Sequence, residues 1–197
     1  MTPIVLASKS AARGALLAGA GIRFEAADSG VDEEVIKARL LAQGSDPRAV
    51  ALALADAKAA AVSATRQGLI IGADQTLDLE GALFDKVSTI DEARERLRLL
   101  RGKRHQLHSA VVVAASGLVV WRDRVSASLA MRDFSDAFLE AYLTRNGDAV
   151  LSSVGCYQLE GEGVQLFEAI EGDYFTILGL PMFGLLAFLR QEGALAA

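Results

Sequence analysis

The chain has 197 residues, a hydrophobic content of 52% and a net charge of −5. That length and composition allow one substantial packed domain, or two small lobes around a cleft, and exclude a disordered chain. The acidic balance, with no basic stripe, excludes a general DNA- or RNA-binding protein, so any phosphate-bearing ligand has to be met by a few well-placed Lys and Arg.

The remaining chemistry is bounded by what is scarce. A single cysteine, Cys156, excludes an intramolecular disulfide and a cysteine-rich zinc site, and it fits a cytoplasmic location. His105 and His108 stand three apart on an expected strand, hence on opposite faces, so no shared metal is expected there. The longest uncharged apolar stretch, residues 175–189, is shorter than the ~20 residues of a membrane span and contains Pro181. The first residues lack the cationic start and long apolar run of a secretory leader.

In chain order, Ile4 to Ala7 reads as a buried strand, followed by Ser8-Lys9-Ser10 and a helix with Leu16 and Leu17 on its apolar face. A strand, a Ser-rich turn and a helix N-terminus form a natural seat for an anion, within reach of Arg13. Equally, Ser8 or Ser10 serves as the helix N-cap. There is no GxxxxGK[ST] phosphate loop. Residues 23–27 read as a second strand. Asp32, Glu33 and Glu34 then offer either a metal-facing acid or simply the negative first turn of a helix. A long Ala-rich helix is expected from Pro47 to Thr65, with Lys58 as its one lysine among alanines, set to extend toward a cleft or to sit in solvent.

Residues 69–86 hold the densest chemistry. A buried strand, Leu69 to Ile71, meets Gly72-Ala73. Asp74 follows where the apolar run stops, a common place for a working carboxylate. A second strand, Thr76 to Leu79, turns at Glu80-Gly81 and returns through Ala82 to Lys86, a register that sets Lys86 opposite Gln75. Beyond it, Thr89-x-x-Glu92 is a capping box for a helix with Ile90, Ala93, Leu97 and Leu100 on one stripe. Residues 106–115 and 118–131 form a hairpin turning at Ser116-Gly117, and a second capped helix starts at Ser135 and ends at Asn146-Gly147. Residues 164–170 and 175–178 read as strands, and Pro181 opens a final apolar helix. Mixed hairpins and crossovers give an α/β fold with a mixed β-sheet flanked by helices, and no linker divides residues 1–197.

The ordered set Leu6-Ala7-Ser8-x-Ser10-x-x-Arg13, Val31-Asp32-Glu33, Ala57-Lys58-Ala59, Gly72-Ala73-Asp74-Gln75, Lys86, Gly161 and Gly179-Leu180-Pro181 resembles the Maf family of nucleoside triphosphate pyrophosphatases. Each motif is weak alone; the series spans nearly the whole chain. The resemblance implies an elongated α/β fold with two lobes around a cleft. It also implies hydrolysis of a nucleotide between its α and β phosphates, assisted by Mg²⁺ or Mn²⁺. It makes Asp74 the catalytic carboxylate, as general base or metal anchor, with Glu33 its partner at the metal. Ser8, Arg13, Lys58 and Lys86 would hold the triphosphate. A homodimer is compatible with the family.

Base-reading positions differ within the family. Gln75 and Glu160 are similar to the 7-methyl-GTP pyrophosphatase branch rather than to the enzymes acting on dTTP and UTP. A carboxylate accepts both N–H donors of one guanine edge, and a Gln is able to donate to guanine O6. Ala12 departs from that branch, which usually has a Trp able to stack on a cationic base. Ala11 and Val87 each replace a usual Pro. The alternatives are a broader hydrolase of CTP, UTP or GTP, and a non-catalytic nucleotide-binding regulator of cell division.

Overall fold

The computed structural model describes residues 2–196. The chain runs β1 (Ile4–Leu6), α1 (Ala11–Gly19), β2 (Glu25–Ala26), α2 (Glu33–Ala42), α3 (Pro47–Ser63), β3 (Leu69–Leu79), β4 (Ala82–Phe84), α4 (Ile90–Leu100), β5 (Arg104–Ala115), β6 (Leu118–Met131), α5 (Asp136–Asn146), β7 (Phe167–Glu171), α6 (Tyr174–Ile177) and α7 (Met182–Gln191). The strands form a seven-stranded open mixed sheet in the order β2-β1-β3-β5-β6-β7, with β4 paired to β3. β1 pairs in parallel with β2 and β3, whereas β3–β4 and β6–β7 are antiparallel. This is the mixed α/β architecture expected from the sequence. No helix among the described residues is long and apolar enough to cross a membrane.

Two compact units are distinguished. The first comprises Met1–Gln75, His108–Val125 and Asp173–Ala197; the second comprises Thr76–Leu107 and Ser126–Gly172.

In the first unit the sheet is covered on both faces. Alternate residues of β3 and β5, such as Leu69, Ile71, Val111 and Val113, pack with Leu17 of α1 and Leu185 and Leu189 of α7. The intervening residues of β5, Ala110, Val112 and Ala114, meet Ala51, Ala55 and Ala59 of α3. Small side chains on both sides let α3 approach closely. The approach is closest at Gly72, where a Cβ would stand 2.3 Å from the Ala55 carbonyl oxygen and 2.6 Å from Ala59 N. Only glycine fits there.

The second unit is built on the ends of β3, β5 and β6 with β4, β7, α4 and α5. The capping box of α4 is present: Thr89 Oγ1 accepts from Glu92 N, and the Glu92 carboxylate accepts from Thr89 N. Ser135 caps α5 by accepting from Phe138 N. Arg94 of α4 donates a fork of hydrogen bonds to Glu140 of α5 at 2.7 and 3.1 Å. Buried His105 and Tyr157 and half-buried Phe167 form an aromatic cluster in which His105 Nε2 lies 2.7 Å from Tyr157 Oη.

Several elements differ from the sequence reading. β3 is one strand of eleven residues, because Gly72 and Ala73 stay extended against α3 rather than breaking the run. The Glu80-Gly81 turn has φ of 56° and 86°, as the hairpin requires, and Leu77 pairs with Phe84 in the expected register. The strand then ends at Phe84, so the ladder stops before Lys86. Residues 175–178, expected as a strand, fall in the short helix α6 and its C-cap Leu178, since Asp173 accepts from Thr176 N and nucleates a turn. Part of the strand expected over residues 164–170 is a 3₁₀ turn at Glu162–Leu166 that precedes β7.

Candidate active site

The close approach at Gly72 has a chemical consequence two residues later. Asp74 lies on the same face of β3 as Gly72, and Lys58 precedes Ala59 on α3. The Lys58 ammonium therefore meets the Asp74 carboxylate, with Nζ 2.6 Å from Oδ1. Both residues are buried, Lys58 at 6% and Asp74 at 7% exposure. Lys58 Nζ also lies 2.7 Å from Glu33 Oε1, and Glu33 is more open to solvent. The sequence left Lys58 between a solvated face and a cleft. The structure buries it between two carboxylates, because the alanines around it bring α3 onto the sheet.

Glu33 is presented by the start of α2. Asp32 is the N-cap, accepting from Val35 N at 3.1 Å, so Glu33 and Glu34 occupy the first turn, where the helix dipole favours negative charge. Glu34 is paired with the buried Lys37 on its own helix. Of the three consecutive acids, Glu33 is the one that reaches Lys58.

The Ser-rich turn after β1 supplies the next groups. Ser10 is the N-cap of α1, its Oγ accepting from Arg13 N at 3.4 Å. Ser8 Oγ accepts from Ser10 N and from Arg13 Nη1, each at 3.2 Å. Arg13 Nε donates to the Gly179 carbonyl oxygen at 2.8 Å. One edge of the guanidinium is thereby fixed. Burial lowers the Arg13 pKa, an effect countered by the charges of Asp74 and Glu33.

Asp74 is held above the usual carboxylate range by burial first; the charges of Lys58 and Arg13 pull it back down, as does the hydrogen bond from Lys58.

Gln75 points to the opposite face of β3 from Asp74. Its Nε2 donates to Ser109 Oγ at 2.9 Å, Thr176 O at 3.0 Å and Ile177 O at 2.9 Å. Donation to a guanine O6, expected from the sequence, is therefore not on offer in this arrangement. Ala12 is half-buried on α1. Lys86 and Glu160 belong to the second unit, where both are exposed. Lys86 follows β4, and Glu160 lies in the tight turn that leads to Gly163, a position where a Cβ would stand 2.4 Å from the Gln158 carbonyl oxygen.

Sequence reasoning missed Ser109 and the acceptor role of Gly179. Ser109 carried a signal, a lone hydroxyl at the head of the apolar run Ala110–Ala114; the Gly179 contact, 166 residues from Arg13, carried none.

The mixed α/β sheet thus carries a buried carboxylate paired with a lysine, beside an arginine. The chain belongs to the Maf-like protein family, whose model matches residues 3–192. A protein of Caulobacter vibrioides named nucleoside triphosphate pyrophosphatase is 60% identical over 195 residues, covering 99% of this chain and 98% of the relative. One of Rhizobium meliloti named 7-methyl-GTP pyrophosphatase is 49% identical over 195 residues, covering 98% of each. One of Bradyrhizobium diazoefficiens, named nucleoside triphosphate pyrophosphatase, is 52% identical over 196 residues, covering 99% of this chain and 96% of the relative.

Proposed function

We propose that this chain is a nucleoside triphosphate pyrophosphatase that hydrolyses the bond between the α and β phosphates, releasing a monophosphate and pyrophosphate. It is a hydrolase acting on phosphorus-containing anhydrides. The observation that carries the reading is the Glu33–Lys58–Asp74 cluster beside Arg13 and Ser8, in a chain that its relatives match from end to end. Phosphoryl chemistry needs an aligned water and neutralised charge more than a covalent nucleophile, and these residues supply both. Asp74 accepts the proton of the attacking water. Arg13 and Lys58 offset the phosphate charge, and Ser8 Oγ adds a short polar contact. The hydrogen bond from Lys58 holds the Asp74 carboxylate in one orientation.

Asp74 and Glu33 fit a divalent cation. Their oxygens already converge on one cation, the Lys58 ammonium, and they are the hard donors that Mg²⁺ or Mn²⁺ prefers. Two carboxylates completed by substrate phosphates are a usual set for Mg²⁺. Bound there, the cation supplies neutralisation of charge developing on the phosphates.

The nucleotide proposed is a guanine nucleotide such as 7-methyl-GTP, on the strength of Glu160, whose carboxylate suits two N–H donors, with Ala12 as the departure that opens the base end. Lys86 is assigned phosphate contact by sequence order. A broader hydrolase of CTP, UTP and GTP is the second reading, favoured by Ala12, which cannot stack on a base. The test is pyrophosphate release across canonical and 7-methylated triphosphates with Mg²⁺ or Mn²⁺, on the wild type and Asp74→Asn. Full activity in Asp74→Asn overturns the catalytic assignment. Equal rates on 7-methyl-GTP, GTP, CTP and UTP select the second reading.

A further inference from the structure

Gln75 stands next to the catalytic carboxylate, yet its amide faces inward, onto the turn between α6 and α7. The orientation is dictated by chemistry. Ser109 Oγ donates its one proton to Thr176 O at 2.7 Å, so toward Gln75 it is an acceptor. Thr176 O and Ile177 O are acceptors as well. Three acceptors surround the tip of Gln75, and the two protons of an NH₂ group are shared among them; a flipped amide would set oxygen against oxygen. The carbonyls of Thr176 and Ile177 lie at the C-terminus of α6; Thr176 O also accepts from Gly179 N at 3.1 Å, and Gln75 supplies a donor to Ile177 O at that end. Ser109 and Thr176 are buried at 1% and 0% exposure, where an unpaired carbonyl is costly.

The turn so held leads directly to Gly179. Its φ of +90° brings its carbonyl to Arg13 Nε at 2.8 Å. A Cβ at Gly179 would stand 3.4 Å from Arg13 Nε and 3.7 Å from Gln75 Cδ, so the arginine and the glutamine flank this one residue. Arg13 in turn donates to Ser8 Oγ. A continuous path thus runs from Ser109 through Gln75, the α6 carbonyls and Gly179 to the Arg13 guanidinium.

We propose that Gln75 is a positioning residue for the phosphate end of the site: with Ser109 it holds the α6–α7 turn so that the Gly179 carbonyl aims Arg13, and it does not donate to the base. This deepens the triphosphate reading above and rests on it. Losing the strut frees the turn and with it the Arg13 fork. The penalty falls on every ligand that carries the phosphates, whatever its base.

The test uses Gln75→Met, which keeps length and removes both donors, and Ser109→Ala, with Ser109→Thr restoring the hydroxyl. Steady-state kinetics on 7-methyl-GTP, GTP, CTP and UTP are set beside inhibition by inorganic tripolyphosphate, which has no base. Gln75→Met is expected to raise KM by about tenfold for all nucleotides alike, the scale of one charged hydrogen bond disturbed. Tripolyphosphate inhibition should weaken by the same factor, and the ratios between bases should stay within about twofold. Ser109→Ala should follow in the same direction, and Ser109→Thr should recover. In an Arg13→Lys background, which lacks the Nε contact, Gln75→Met should add little. If Gln75→Met fails to fold, the Ser109 pair carries the test by the same readouts. A change in base preference with tripolyphosphate inhibition unaltered overturns the proposal while leaving the pyrophosphatase reading intact. A wild type that neither releases pyrophosphate nor binds tripolyphosphate overturns both.

Discussion

Lys58 Nζ lies 2.6 Å from Asp74 Oδ1, with both side chains buried on facing elements of the first unit. Such a pair is costly to break from one side, because the partner is left as an uncompensated buried charge. Lys58→Met is expected to lower unfolding free energy by about 3 kcal/mol near neutral pH. The sign with pH follows from Asp74, whose pKa is raised in the folded state by burial. A raised acid binds more protons folded than unfolded, so its cost appears as pH rises through the folded pKa and vanishes in acid. Denaturant titrations of Lys58→Met should therefore show a deficit that shrinks toward low pH. A pH-independent deficit would assign the loss to packing instead.

With Asp74 as the proposed base, the same balance is expected to set the acid limb of activity. Asp74 must be ionised to accept a proton, so kcat/KM should fall on acidification at a pH above the ordinary carboxylate range. Asp74→Asn should lose about 10²–10⁴-fold in kcat while keeping its fold. Removing Lys58 withdraws a charge that lowers the Asp74 pKa, so any residual activity of Lys58→Met should have its limb shifted to higher pH. Rate profiles against pH check both statements.

Glu33 and Asp74 separate by exposure. Glu33 has a side chain 44% exposed, so its contact with Lys58 adds little stability in water. Glu33→Gln is expected to shift unfolding free energy by less than about 1 kcal/mol. The metal concentration for half-maximal activity should rise by about 10-fold or more if Glu33 is one of the two hard ligands proposed. A large stability loss with unchanged metal activation would make Glu33 a structural partner of Lys58 only.

Gly72 can be tested without touching a charged group. A methyl group there meets the Ala55 carbonyl oxygen at 2.3 Å, a contact that backbone must relieve by moving α3 off β3. Gly72→Ala should destabilise the protein by about 1–3 kcal/mol and lower activity through the displaced Lys58. Thermal denaturation and kinetics together distinguish this from a harmless substitution.

His105 reports on the second unit alone. Burial lowers its pKa from 6.5 to about 4. A base with a depressed folded pKa binds fewer protons folded than unfolded, so stability is lost as pH falls below 6.5 toward 4. The loss should approach about 3 kcal/mol, and His105→Gln should abolish that slope in denaturant titrations between those limits.

Local features were legible in the chain itself because the partners are neighbours. The capping box of Thr89 and Glu92, the Ser135 cap, the Glu80-Gly81 turn and the alternation of the long strands all arise from contacts over two to four residues. So did the candidate acids and cations, whose order along the chain carries the family signal. The exception among local features is α6, where residues expected as a strand turned helical once Asp173 Oδ1 accepted from Thr176 N.

What only the tertiary structure decided is the direction in which each candidate works. Lys58 has one helix face to choose among solvent, sheet and acid, and its partner Asp74 is 16 residues away across a packed interface. Gln75 read as a donor to a base; its three acceptors come from a strand 34 residues on and from a helix end about 100 residues on, and they turn it inward. Arg13 takes its aim from a carbonyl 166 residues distant. Composition, caps and turns follow from side chains acting on their own backbone. The charges, burial and hydrogen-bond directions that make a carboxylate reactive depend on groups that meet only after the sheet and helices have packed.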